Sequence, residues 1–138
     1  GDGPEREALQ RQVQQAGLQE QVQFLGFRSD PQTFLLQAGV FVLPSRFEGM
    51  PNALLEAMAA GLAVVVTDAS PGPLEVVVNG VSGLVVPSDD PFALAEALDR
   101  LAADPLLRER LGAAARDTLR QLDWPVVGPI WESLVDQP

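Results

Sequence analysis

Two glutamates, Glu48 and Glu56, are separated by seven residues in a stretch whose other side chains are mostly apolar or small. The stretch follows an apolar segment, residues 40–43, and crosses a turn that contains Gly49 and Pro51 before a short apolar helix begins. Carboxylates placed among apolar neighbours need water, backbone donors or the hydroxyl groups of a ligand as partners. The pair is therefore a candidate for binding a polyhydroxylated molecule.

Glu56 lies near the start of this predicted helix, where the helix dipole favours the ionised carboxylate. Its neighbours at i−4 and i+4 are Asn52 and Ala60, so helical spacing supplies no cation. A carboxylate in this position is suited to bind two vicinal hydroxyl groups of a ribose. The alternatives are a solvent-exposed helix residue for Glu56 and an ordinary turn acid for Glu48.

The beginning of the same helix predicts an anion site. The amides of Asn52, Ala53 and Leu54 are among the first helical N–H groups, which lack backbone partners. Together with the helix dipole they suit a diphosphate. A carboxylate on each side of a phosphate site indicates a pocket for a nucleotide sugar.

Composition excludes several other classes of function. The formal net charge is −10 and all nine cations are arginines, so most of the surface repels nucleic-acid phosphates and direct nucleic-acid binding is not expected. The chain has no cysteine and no histidine, which removes thiolate metal sites, the commonest metal ligand and the commonest general base. No apolar run approaches the ~20 residues that span a bilayer, and no signal-peptide pattern is visible. We expect a cytoplasmic location, with peripheral membrane attachment left open for the full-length protein.

Apolar strands alternate with helices, which predicts an α/β fold: a Rossmann-like parallel sheet in three layers with flanking helices. At 138 residues we expect one domain. The predicted strands are residues 21–27, 40–43, 62–68 and 83–86. The predicted helices are residues 4–16 and 31–38, the segment that carries Glu56, residues 74–78, two helices starting at Pro91 and Pro105, and, after a break at residues 123–125, a last helix with Ile130, Trp131 and Leu134.

Residues 44–61, PSRFEGMPNALLEAMAAG, resemble the E-x7-E signature of the retaining glycosyltransferases of family 4, which have the GT-B architecture. Further segments resemble the C-terminal domain of that family in the same order, and the resemblance covers nearly the whole chain. These segments are residues 1–6 (GDGPER), 22–26 (VQFLG), 63–68 (AVVVTD), 80–87 (GVSGLVVP) and 122–124 (LDW).

The resemblance implies a donor-binding domain that serves transfer of a hexose from a UDP- or GDP-sugar, with retention at the anomeric carbon and no metal or other cofactor. Glu48 would be the catalytic residue beside the donor sugar, and Glu56 would hold the ribose hydroxyls. The loop at Phe27 and Arg28 would lie against the nucleobase. The donor diphosphate would lie along the turn and helix start, at Gly49, Met50, Pro51, Asn52, Ala53 and Leu54.

The family's Gly-Arg…Lys-Gly segment, whose cations clamp the donor diphosphate, is absent. We therefore expect a fragment that lacks its first strands and the N-terminal domain for the acceptor (a glycan, a lipid or a small molecule), and that is inactive alone. Exposed strand edges predict self-association of such a fragment. The alternative function is a non-catalytic nucleotide-binding or interaction module of GT-B ancestry. A dinucleotide-dependent oxidoreductase is disfavoured, because the first glycines lack the third glycine of that fingerprint.

Overall fold

The computed structural model describes residues 2–122 and Pro125. The chain divides into two compact units, Gly1–Pro31 and Gln32–Pro138. Whether the whole chain acts as one domain stays a prediction. The predicted helix break at residues 123–125 falls largely outside the described residues, and the last helix with Ile130, Trp131 and Leu134 falls wholly outside them.

The first unit contains helix α1 (Arg6–Gln15) and a following segment without regular secondary structure. None of the α1 residues is buried. The Arg6 guanidinium donates hydrogen bonds to the Asp2 carboxylate and, over 3.3 Å, to the Phe24 carbonyl. These bonds hold the start of the chain against the segment that ends near Phe27.

Residues 21–27 were predicted to form a strand, and this prediction is wrong, because residues 22–27 have no regular structure. A strand exists only where another strand accepts and donates its backbone hydrogen bonds. Among the described residues, no segment pairs with it. Apolar composition therefore predicted a strand for which the described residues supply no partner.

The second unit consists of βα units in chain order. Its elements are α2 (Gln32–Leu35), β1 (Val40–Leu43), α3 (Asn52–Ala59), β2 (Ala63–Thr67), α4 (Pro71–Val76), β3 (Leu84–Val86), α5 (Pro91–Ala103) and α6 (Pro105–Arg120). Asp90 and Asp104 accept hydrogen bonds from the first amides of α5 and α6, and a proline follows each at the first helical position. The predicted starts of both helices are confirmed.

The three strands form a parallel sheet in the order β1-β2-β3. The register places Val42 opposite Val65, and Val65 opposite Leu84. The central strand β2 is buried throughout, whereas every residue of β1 is only half-buried. Within the described chain β1 pairs on one side alone, which explains its greater exposure.

Alternate residues of β2 enter separate cores on the two faces of the sheet, as the two-residue period of a strand requires. Val64 and Val66 pack with Leu54 and Met58 of α3. Ala63 and Val65 pack with Leu101 of α5 and with Leu107 and Leu111 of α6. Helices thus cover both faces, and the predicted three-layer α/β fold is confirmed.

Helix α6 also contacts the turn between α3 and β2. A Cβ atom at Gly112 would lie 2.0 Å from the Gly61 carbonyl oxygen, so only glycine permits this approach. The Arg116 guanidinium donates to the Ala60 carbonyl over 3.0 Å, and a cation is stabilising at the end of a helix such as α3. These contacts fix the C-terminal end of α3. No helix in the described part of the chain has both the length and the apolar composition that a membrane span needs.

Candidate functional site

Three loops leave the carboxyl ends of the strands, where open parallel sheets bind ligands. They are the β1–α3 loop (residues 44–51), the β2–α4 loop (residues 68–70) and the β3–α5 loop (residues 87–90). Hydrogen bonds join the β1–α3 loop to the end of β2, and the β3–α5 loop to the β2–α4 loop. Thr67 Oγ1 at the end of β2 donates to the Ser45 carbonyl, and the Ser88 amide donates to Asp68 Oδ1 over 2.7 Å.

Glu48 is half-buried in the β1–α3 loop and is held at two points. Ser45 Oγ donates to Glu48 Oε1 over 2.7 Å, and the Glu48 amide donates to Ser70 Oγ over 2.9 Å. The second carboxylate oxygen, Oε2, accepts no hydrogen bond from the residues that the structure describes. Glu48 therefore presents an oriented carboxylate with one oxygen available to a ligand.

Glycine at position 72 allows the β1–α3 loop to lie directly on the first turn of α4. A Cβ atom there would lie 1.6 Å from the Gly49 carbonyl oxygen, well inside any tolerable contact. Gly72 and Pro73 are both buried. A direct backbone contact thus supports the loop that carries Glu48, in addition to its side-chain hydrogen bonds.

Helix α3 begins without a side-chain cap, because its N-cap residue is Pro51. The prediction that the Leu54 amide lacks a backbone partner is wrong, since it donates to the Pro51 carbonyl over 3.0 Å. The amides of Asn52 and Ala53 make no hydrogen bond within residues 2–122, and both residues are exposed. Two unsatisfied donors and the positive end of the helix dipole therefore remain for an anion.

Glu56 is the fifth residue of α3 and is exposed. It lines a cavity of about 280 Å³ between α2 and α3, together with Gln32, Leu35, Leu36, Ala59 and Ala60. It also borders a wider groove of about 620 Å³ between α3 and α6. The sequence indicated no cation at helical spacing, but folding brings Arg116 and Arg120 of α6 to that groove. Neither arginine forms an ion pair with Glu56 in the described chain.

The site residues predicted between 48 and 56 thus lie in the β1–α3 loop and the first part of α3. Met50 is 42% exposed and can be reached by a ligand, whereas the Leu54 side chain is fully buried in the core. Phe27 and Arg28 belong to the first unit. The Phe27 amide donates to Asp2 Oδ2 over 2.9 Å, and its ring is 80% exposed. Its assignment and that of Arg28 to a nucleobase stay predictions.

Sequence reasoning missed the supports of Glu48. Ser45 and Ser70 hold it, and Thr67 holds the Ser45 carbonyl. Each of these residues ends a strand or follows one closely, so the rule that places sites at carboxyl ends of strands could have nominated them. Among residues 2–122 and Pro125, no three acidic side chains cluster as a metal site would require.

A family model matches most of the chain. The model described as "Glycosyl transferases group 1" covers residues 1–118. The chain belongs to this family. The match supports the glycosyltransferase domain that the resemblance implied, whereas the assignment to family 4 and the retaining mechanism stay predictions.

One curated relative and one solved structure, the latter of a group 1 family protein, are each more than 30% identical to the chain. The lipopolysaccharide core biosynthesis glycosyltransferase LpsD of Rhizobium meliloti is 38% identical over 120 residues, which is 87% of this chain and 35% of LpsD. The C-terminal domain of the group 1 protein LpcC from Francisella tularensis has a TM-score of 0.76 and 31% identity, covering 84% of this chain and 60% of that one. The chain therefore spans about a third of the length of LpsD.

One solved structure with a similar fold contains a ligand. Anabaena HepE, solved in complex with UDP, has a TM-score of 0.85 and 25% identity, covering 96% of this chain and 37% of HepE. HepE has also been solved with UDP-glucose. The fold of the chain is thus that of the GT-B C-terminal domain.

Proposed function

We propose that the chain is the donor-binding part of a retaining family 4 glycosyltransferase, which moves a hexose from a UDP- or GDP-sugar to an acceptor. The observation that carries this proposal is the arrangement along one loop and helix: an oriented Glu48, two unsatisfied amides at the start of α3, and Glu56 one turn further. The UDP and UDP-glucose complexes of HepE support the donor class.

The donor diphosphate would accept hydrogen bonds from the amides of Asn52 and Ala53. As the bond between the anomeric carbon and the diphosphate oxygen breaks, negative charge grows on the diphosphate, and these donors and the helix dipole stabilise it. The acceptor oxygen bonds to the same face of the anomeric carbon, and its proton passes to the diphosphate. Such transfer needs no cofactor from the protein.

Glu48 would contact the hydroxyl groups of the transferred sugar. Its carboxylate also favours the positive charge that develops on the sugar ring in glycosyl transfer. The Ser45 hydroxyl restricts the carboxylate to one orientation, so less reorganisation is needed as the donor binds. Gly49, Met50 and Pro51 would border the donor between Glu48 and the diphosphate.

Glu56 would bind the ribose in the cavity between α2 and α3. Four residues of helix rise separate it from Asn52, about 6 Å along the axis, which matches a ribose attached to a phosphate at the start of α3. The cavity is mostly apolar, and Gln32 adds an amide that can complement the carboxylate in binding hydroxyl groups. Phe27 and Arg28 would contact the base, and a domain beyond this chain would bind the acceptor glycan, lipid or small molecule.

Titration calorimetry with UDP, GDP and 2′-deoxy-UDP tests this function. The chain should bind UDP or GDP, and Glu56→Ala should weaken binding of that nucleotide about tenfold, as loss of a charged hydrogen bond predicts. If UDP binds, it should bind more tightly than 2′-deoxy-UDP, and Glu56→Ala should remove that preference. Glu96 is an exposed acid on α5, and Glu96→Ala is the matched control. It should change neither the affinity for the nucleotide nor the preference for UDP over 2′-deoxy-UDP. Absence of binding by UDP and by GDP at millimolar concentration would overturn the proposal.

Comparison of UDP-glucose with UDP separates the enzyme from the alternative, a non-catalytic nucleotide-binding module. If Glu48 contacts the sugar, Glu48→Gln should lower affinity for UDP-glucose and leave affinity for UDP unchanged. Equal effects on both ligands, or none, would favour the non-catalytic module.

A further inference from the structure

Arg46 is the one cation in the three loops at the carboxyl edge of the sheet. The same loops carry four acids, Glu48, Asp68, Asp89 and Asp90. A nucleoside diphosphate would approach this edge against four negative charges in a chain whose net charge is −10. The amides of α3 supply dipoles, but a bound diphosphate gains most from a full positive charge.

The position of Arg46 keeps it accessible to a ligand. The bond from Ser45 Oγ to Glu48 closes a four-residue turn, and Arg46 and Phe47 lie at its tip. The Phe47 side chain is 84% exposed and the Arg46 side chain 82%. Because Gly49 is fixed against Gly72, the base of this turn is held while its tip faces solvent.

Asp89 of the β3–α5 loop holds the Arg46 guanidinium. Arg46 Nε lies 2.7 Å from Asp89 Oδ1, and the aspartate side chain is 63% exposed. The two terminal guanidinium nitrogens make no hydrogen bond within the described chain. Asp89 has a φ of 57°, an uncommon backbone conformation for a residue other than glycine, and the Ser88 amide is bonded to Asp68 Oδ1 beside it. The ion pair therefore joins the β3–α5 loop to the turn that carries Arg46.

An exposed ion pair through one nitrogen is a weak interaction. A diphosphate carries more charge than a carboxylate and can accept two parallel hydrogen bonds from the planar guanidinium. A diphosphate bound at the start of α3 and within reach of Arg46 would therefore compete with Asp89 for the guanidinium. Asp89 would in turn limit how tightly the nucleotide is held.

We propose that Arg46 binds the diphosphate of the donor and that Asp89 holds Arg46 in the unliganded chain and competes with the nucleotide for it. The proposal rests on the proposed function. It assigns to this turn a charge that the upstream cationic segment of related enzymes was expected to supply. A product nucleoside diphosphate would meet the same competition, which assists its release.

Titration calorimetry of the whole chain with UDP and with uridine tests the proposal. Arg46→Ala should weaken UDP binding about tenfold, as expected for a charge-assisted hydrogen bond, and should leave uridine binding unchanged. Arg46→Lys should bind UDP with an affinity between those of Arg46→Ala and the unmodified chain, because lysine keeps the charge and lacks the planar guanidinium. Arg11→Gln, which breaks an exposed ion pair with Glu7 on α1, is the matched control and should bind UDP as the unmodified chain does.

The competitor is tested by Asp89→Asn, which should tighten UDP binding about threefold, the size of a surface ion pair. In an Arg46→Ala background, Asp89→Asn should increase UDP affinity by a smaller factor, because the guanidinium for which Asp89 competes is absent. Asp99→Asn, an exposed acid on α5, controls for the change in net charge.

Equal UDP affinity of Arg46→Ala and the unmodified chain would overturn this proposal and leave the proposed function standing. An unchanged Asp89→Asn effect in the Arg46→Ala background would overturn the competition. If the unmodified chain binds neither UDP nor GDP, the proposed function fails and this proposal fails with it.

Discussion

Ser70 occupies the N-cap position of α4, yet its hydroxyl oxygen accepts a hydrogen bond from the Glu48 amide 2.9 Å away instead of capping its own helix. Pro71 at the first helical position has no N–H, which leaves fewer amides for a cap to satisfy. The side chain of Ser70 is thereby used to join the β2–α4 loop to the backbone of Glu48.

Replacement of Ser70 by alanine leaves the Glu48 amide without its acceptor in a half-buried position. We expect the free energy of unfolding to fall by about 1–2 kcal/mol, the usual effect of an unsatisfied backbone donor. Urea denaturation measures this change. Ser88→Ala is the matched control, since within residues 2–122 only the backbone amide of Ser88 forms a hydrogen bond. An equal loss in both variants would contradict the role given to Ser70.

Replacement of Ser45 by alanine removes the donor that orients the Glu48 carboxylate. UDP binding should fall less than UDP-glucose binding, because Ser45 orients Glu48 beside the sugar and acts on the nucleotide only through the turn that carries Arg46. The advantage of UDP-glucose over UDP should fall about threefold, the value of one ordinary hydrogen bond. Calorimetry with both ligands measures it. If both ligands weaken equally, Ser45 supports the loop as a whole and does not orient Glu48.

Replacement of Gly72 by alanine forces the β1–α3 loop away from α4, because the new Cβ would lie 1.6 Å from a backbone carbonyl that cannot rotate aside. We expect a loss of about 1–3 kcal/mol in unfolding free energy and weaker UDP binding. Gly39→Ala is the control, since its Cβ would meet nothing within 4 Å. A stable Gly72→Ala variant with unchanged UDP affinity would show that the loop position does not matter to the site.

Acidification should release the start of the chain in the first unit. The hydrogen bond from the Phe27 amide is the main cause that lowers the pKa of Asp2 below its ordinary value of 3.8. Desolvation is the next largest effect and opposes it, and the Arg6 guanidinium lowers the pKa further. A carboxyl group with a lowered folded-state pKa stabilises its contacts above the unfolded value, and this stabilisation is lost as pH falls through the folded value. The Phe27 amide resonance should therefore shift below pH 3.8, together with the Asp2 carboxyl. Asp2→Asn should abolish that shift, and a Phe27 shift that persists in this variant would contradict the assignment.

The sequence by itself determined the class of the fold and the central stretch of the site. Residues 40–43 and 62–66 are apolar, as expected of strands covered on both faces, and the structure has neighbouring parallel strands there, β1 and β2. The helix around Glu56 was predicted from apolar composition, and Pro91 and Pro105 marked the starts of α5 and α6. These signals are local, because backbone conformation and side-chain periodicity depend on near neighbours in the chain.

Tertiary structure alone decided which side chains support Glu48 and where the cations lie. Ser70 is 22 residues from Glu48, Asp89 is 43 residues from Arg46, and Arg116 is 56 residues from Ala60, so no periodicity within the chain could join them. The segment at residues 21–27 shows the same limit, since its apolar pattern predicted a strand, whereas strand formation needs a partner elsewhere in the chain. Hydrogen bonds between loops depend on how the sheet brings the carboxyl ends of its strands together. That juxtaposition orients the Glu48 carboxylate beside the start of α3, which has no side-chain cap.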